Sequence, residues 1–132
     1  MKSSISKKSQ YWIPKHRYLE LKNWVRQYED WHHDLIDMRY LKSKNSQVGF
    51  SSNVFNRTEE LAIFSARLTR NMEIVEQACL EVMPDDPAIF LKAVTEGLSY
   101  DLLSVDKVMS VSRAEWYESY RKFFYILDKK RD

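Results

Sequence analysis

The chain has 132 residues, 44% of them hydrophobic and 14% aromatic, which suffices for one domain with its own core and excludes a wholly disordered protein. A single cysteine, Cys79, excludes a disulfide framework and a cysteine-rich zinc site, and two glycines cannot build a phosphate-cradling loop. No apolar run approaches the ~18 residues of a membrane span, and Met1–Gln10 lacks the hydrophobic stretch of a signal peptide, so a cytoplasmic protein is expected.

The net charge of +2 hides an uneven distribution. Residues 1–17 hold five basic and no acidic side chains, and residues 121–132 hold five basic and two acidic ones, so the stretch between them carries −6. Two basic ends around an acidic body suit a phosphate-facing surface built from the termini, or equally two solubilising tails.

Residues 1–10 are dominated by Ser and Lys and are expected to form a disordered basic leader. Residues 11–132 are then expected to form a single helical domain. Pro14 fits the first turn of a helix, and Tyr18, Leu21, Val25 and Tyr28 recur at helical spacing, with Trp24, Trp31, Leu35 and Met38 widening the stripe. The pattern predicts a helix over about 14–41, kinked or broken near Glu29-Asp30. Residues 43–56, rich in Ser and Asn and containing Gly49, predict a loop.

Asn56 with Glu59, or Thr58, resembles a helix start, and Leu61, Phe64, Leu68, Val75, Ala78 and Val82 continue at 3–4 spacing over about 57–82. Pro84 and Pro87 end that helix. Asp86 caps and Pro87 opens a third helix that stops at Gly97. Ser99 can cap a fourth from Tyr100 to about Val108, with Leu102 and Leu103 inward. After a turn at Met109-Ser110-Val111, Ser112-Arg113-Ala114-Glu115 is a capping box for a last helix over about 113–130. The expected fold is an all-α multi-helix bundle of four to six helices, with a helix-turn-helix-like unit at about 87–130.

Enzyme motifs are absent from the chain: there is no G-x-S-x-G, H-E-x-x-H, Walker loop or C-x-x-C. His33 with Asp37 and His16 with Glu20 stand one helical turn apart, but two ligands do not close a metal site. Cys79, within an apolar face, reads as a small buried hydrophobe. Neither an enzyme, a metal nor a cofactor is expected.

The C-terminal third has helix-turn-helix order, in which the first turns of the longer second helix reach base edges in the major groove. Trp116, Tyr120, Phe123 and Leu127 supply the apolar face that such a helix needs. Ser112, Arg113, Tyr117, Arg121 and Lys122 supply the polar and cationic face, Arg suiting guanine and the others phosphate. Lys7, Lys8, Lys15, Lys129 and Lys130 are candidate auxiliary phosphate contacts. Glu115 and Glu118 lie on the same helix and oppose phosphate, and a plain helical hairpin fits the pattern as well.

Two stretches carry a resemblance. Tyr11-Trp12-Ile13-Pro14-Lys15 with Arg17, Leu19-Glu20-Leu21-Lys22 and Gln27-Tyr28…Trp31 opens the chain. Thr95-Glu96-Gly97 with Ser99-Tyr100, then Tyr117…Tyr120-Arg121-Lys122-Phe123-Phe124-Tyr125-Ile126-Leu127, closes it. Together they resemble small uncharacterised proteins of Gram-positive phages and prophages, over about two-thirds of the chain. More distantly, the last third is similar to the sigma-region-4-like helix-turn-helix of phage late-gene transcription activators. That likeness implies that Tyr100, Leu103, Ser112, Trp116 and Arg121 hold first-helix, cap, core and recognition-helix positions.

Two functions follow as expectations. One is a phage-encoded DNA-binding regulator that reads duplex DNA with its last helix, with RNA polymerase as a further partner and a homodimer on two-fold sites. The other is a phage protein that binds and inhibits a host or defence protein, with aromatics such as Trp24, Tyr28, Trp31 and Tyr40 as interface anchors.

Overall fold

Pro14, with φ −57° and ψ 145°, stands at the start of the first helix, where its missing N–H costs nothing. From there the described residues are helical almost throughout. The structure is a computed structural model that describes residues 5–45, 52–105 and 111–131, without the side chains of 41–45, 52–56 and 105. Among the described residues there are six helices and no strand, an all-α fold: α1 (Lys15–Val25), α2 (Tyr28–Asn45), α3 (Ser52–Val82), α4 (Pro87–Glu96), α5 (Tyr100–Val105) and α6 (Arg113–Arg131).

The single helix expected over 14–41 is two helices. It breaks at Arg26-Gln27, where the Gln27 N–H bonds the Trp24 carbonyl at 3.1 Å, and not at Glu29-Asp30. Those two acids lie in the first turn of α2, where carboxylates stabilise exposed backbone N–H groups. The predicted loop over 43–56 shrinks in the same way: 43–45 and 52–56 are helical, and 46–51 lie outside the described residues. Ser and Asn cost a helix only a few tenths of a kcal/mol each, so they did not stop α2 or delay α3. The ends of α4 fall where expected. The Ile89 N–H donates to Asp86 Oδ1 at 3.4 Å, Gly97 takes φ +74°, and the Leu98 N–H reaches the Ala93 carbonyl at 2.9 Å. The end expected for the fourth helix, at Val108, lies outside the described residues, as do Met109 and Ser110 of the predicted turn.

The expected single domain resolves into two compact units, one of residues 1–27 with 74–132 and the other of residues 28–73. In the first, α1 packs on α6 and α4. Its centre is a run of edge-to-face rings: Phe90 against Trp116 at 5.1 Å and against Phe123 at 5.2 Å, then Phe124 against Phe123, Tyr120 and Tyr18 at 5.0 Å each. Arg17–Asp128 at 2.5 Å and Lys130–Glu81 at 3.0 Å tie the end of α6 to neighbouring helices. In the second unit, α2 and the first part of α3 flank a small cavity of about 250 Å³, lined by Leu35 and Met38 on one side and Leu61 on the other. Trp31, Met38 and Leu68 are buried there, but Ile36, Tyr40, Ile63 and Phe64 are exposed. Phe64, and Leu102 of α5, were expected to face inward and do not.

Candidate functional site

Helix α6 starts from a side-chain cap: Ser112 Oγ accepts the Glu115 N–H at 3.2 Å. Tyr100 of α5 fixes the approach, its hydroxyl donating to the Val111 carbonyl at 2.8 Å and its ring standing 6.1 Å from that of Trp116. Trp116 is buried against Phe90 and anchors the helix on the first unit. Exposure along α6 is sharply graded. Residues 112–115 and Glu118 are exposed, whereas from Ser119 to Arg131 only Lys129 is. Any surface that α6 offers to a large partner is therefore its first two turns.

Arg113 is the cation of that surface. Its guanidinium pairs with the Asp101 carboxylate of α5 and stands 5.4 Å from the Tyr100 ring centroid. Asp101 draws the Arg113 pKa further up, so its charge is fixed. Both partners of the ion pair are more than half exposed. Water screens such a surface pair, so Arg113 can exchange Asp101 for another acceptor at little cost.

Tyr117, one turn on from Arg113 and within electrostatic reach of it, lines with Arg121 a groove of about 790 Å³ between α6 and the leader. The leader is not the unpacked tail expected. Ile5 is 6% exposed, and Ser6 and Ser9 fold residues 5–12 into turns by accepting the N–H groups of Lys8 and Tyr11 at 3.3 and 3.1 Å. Tyr11, Tyr18, Tyr117 and Tyr120 line the groove with Lys8 and Arg121. The hydroxyls of Tyr18 and Tyr120 bond each other at 3.1 Å, and burial raises the pKa of both.

The remaining candidate cations are scattered. Lys122 is half-buried, Lys7 and Lys15 are exposed, Lys129 sits 4.2 Å from the Tyr125 ring centroid, and Lys130 is neutralised by Glu81. Of the ten residues proposed from sequence, the structure thus groups Ser112 with Arg113, and Lys8 with Tyr117 and Arg121. It adds Asp101, Tyr11, Tyr18 and Tyr120, which the helical pattern alone could not connect. No group of three or more His, Cys, Asp or Glu that could hold a metal ion occurs among the described residues, and none of their helices is long and apolar enough to cross a membrane. No family model, curated protein or solved structure matches this chain.

Proposed function

We propose that the protein is a phage-encoded, DNA-binding transcriptional regulator acting in the bacterial cytoplasm, which lays the first turns of α6 in the major groove. The observation that carries this reading is the graded exposure of α6: a buried stem on Trp116, Tyr120 and Phe123, and an exposed first turn headed by Ser112 and Arg113. A helix-turn-helix needs that division, because only the amino-terminal residues of its second helix reach base edges. Ser112 and Arg113 make the base-proximal contacts, and Lys122, Lys7 and Lys15 add phosphate contacts. The likeness of the last third to phage late-gene activators points the same way and brings in RNA polymerase as a second partner.

Titration of a duplex library at several salt concentrations tests it. Affinity should fall steeply with salt, with a slope set by the phosphates contacted, and selection should enrich a defined site. Weak, salt-independent binding would refute it.

A second reading has its own support. Ile36 and Tyr40, one turn apart on α2, are 48% and 67% exposed, and Ile63 of α3 is 57% exposed. Exposed apolar side chains gathered in one small unit suit a protein partner, such as a host or defence protein. Capture from host lysate treated with nuclease, lost with Tyr40→Asp, would favour this reading.

A further inference from the structure

The duplex reading leaves the groove between the leader and α6 unused. We infer that this groove is a nucleotide-binding site, holding the base against its tyrosines and the phosphate on Arg121 and Lys8. Its volume, about 790 Å³, lies within the range of small-molecule sites. Four of its lining residues are tyrosines; Tyr18 and Tyr120 are buried, so the half-buried Tyr11 and Tyr117 supply the ring faces, which accept any base by stacking, without reading its edge. The Tyr18 and Tyr120 hydroxyls satisfy each other, so they add no unmet polar demand to the aromatic lining.

Arg121 supplies the reason for an anion. Of the cations near the end of α6, Arg17 pairs with Asp128, Lys130 with Glu81, and Arg131 with Glu20 and the Trp24 ring, while the half-buried Lys122 does not line the groove. Arg121 is half-buried in the groove wall yet makes no hydrogen bond or ion pair among the described residues. Lys8, an exposed side chain on the leader side, likewise makes no side-chain ion pair among the described residues. A guanidinium removed in part from water and left without an acceptor calls for an oxyanion, and its fork suits phosphate. Glu118 also lines the groove, so two cations face one carboxylate, a balance for a single phosphate rather than a polyphosphate chain. Ser6 and Ser9 already accept backbone N–H groups, which leaves their O–H groups as donors to the ligand.

The nucleotide has two sources, a free mononucleotide or an unpaired position in a single strand, and both present the same base and phosphate. Calorimetric titration of the full chain with thymidine monophosphate and with an eight-residue oligothymidylate separates them. Thymidine and inorganic phosphate serve as half-ligand controls. Thymidine monophosphate or the strand should bind at least about tenfold tighter than either control. Binding of the strand alone identifies the single strand, and comparable binding of both identifies the free nucleotide. Arg121→Gln should weaken the favoured ligand about tenfold or more, and Lys8→Gln, at an exposed position that cannot unfold the chain, severalfold. Duplex titration of the same samples keeps failure of this site distinguishable from failure of the duplex reading. The inference is overturned if neither nucleotide ligand saturates at millimolar concentration, if phosphate alone binds as tightly, or if Arg121→Gln and Lys8→Gln both bind like the parent protein.

Discussion

The hydroxyls of Tyr18 and Tyr120, 102 positions apart in the chain, meet at 3.1 Å where α1 packs on α6. Both rings are buried and both pack edge-on against Phe124 at 5.0 Å, so neither hydroxyl can turn to water without moving the core. Tyr120→Phe strips the Tyr18 hydroxyl of this bond while leaving the packing intact. A buried polar group deprived of its bond costs ~1–3 kcal/mol, and replacing both partners restores part of the loss. Urea denaturation of Tyr120→Phe should show that destabilisation, with the Tyr18→Phe/Tyr120→Phe pair closer to the parent than the sum of the singles. Strict additivity would mean that the bond contributes nothing to the interface.

Alkaline pH should unfold the protein from the same region. Burial raises the pKa of Tyr18 and Tyr120, and pushes the Cys79 thiol up to about 12. In each case the folded state holds the proton more tightly than the unfolded chain does. Stability from these groups is therefore complete below pH ~9 and is lost as pH rises through the folded values, at up to about 1.4 kcal/mol per pH unit per group. Melting temperature should be flat from about pH 7 to pH 9 and fall beyond it. Cys79 should react with a thiol reagent only at the rate of unfolding. Rapid modification in the folded protein would place Cys79 outside the core.

Gly97 holds φ +74° at the end of α4, and a Cβ there would overlap the Arg26 guanidinium. Two costs are combined at one position. The left-handed backbone costs a non-glycine residue ~1–2 kcal/mol, whereas the overlap is with the far end of a flexible side chain that can withdraw. Gly97→Ala should thus lose ~1–2 kcal/mol, and adding Arg26→Ala should recover little of it. Substantial recovery would assign the glycine to the close approach of Arg26 and not to the turn.

Helix ends were readable wherever one residue type dictates backbone geometry: Pro14, Asp86-Pro87, Gly97 and Ser112 all mark the boundaries observed. The break at Arg26-Gln27 was not readable, because no proline or glycine enforces it and the apolar stripe runs through it. Phe64 misled for a different reason. A stripe at helical spacing shows which face is apolar but not whether a neighbour covers it, and among the described residues of its own unit the first part of α3 has only α2 beside it. Tyr117 and Arg121 were recognisable as part of the less apolar face of α6. That a serine-rich leader would fold over them was not, since its turns rest on hydrogen bonds between residues two and three apart, in a composition that also reads as disorder.

Arg113 and Trp116 face opposite demands within one turn of helix, and their alanine variants should fail differently. Arg113 is exposed and its ion pair with Asp101 is a surface one, so Arg113→Ala should leave the melting temperature within error of the parent. At a preferred duplex it should cost ~1–3 kcal/mol and relax the choice of one base pair. Trp116 is 1% exposed between Phe90 and Tyr100, and Trp116→Ala leaves a cavity worth ~3–5 kcal/mol. Thermal melts and duplex titrations on the same samples separate the two. Arg113→Ala with full affinity and full specificity would remove α6 as the reading element.

The leader carries the last test, because its two halves should behave differently. Residues 1–4 precede Ile5, which is buried, and Ile5 precedes the serine turns that carry Lys8 and Tyr11 into the groove wall. Burying an isoleucine side chain stabilises by ~1.5–3 kcal/mol at most, part of which orders the turns themselves. Deleting residues 1–4 should leave the melting temperature unchanged, whereas deleting 1–10 should lower it by several degrees. Ile5→Asp, which keeps the chain length, should reproduce most of the larger effect. It should also open one wall of the groove, so that a solvent quencher reaches the tyrosine emission more readily than in the parent protein. Equal stability of the two deletions, with unchanged quenching in Ile5→Asp, would show that the leader does not hold the position that Ile5 gives it.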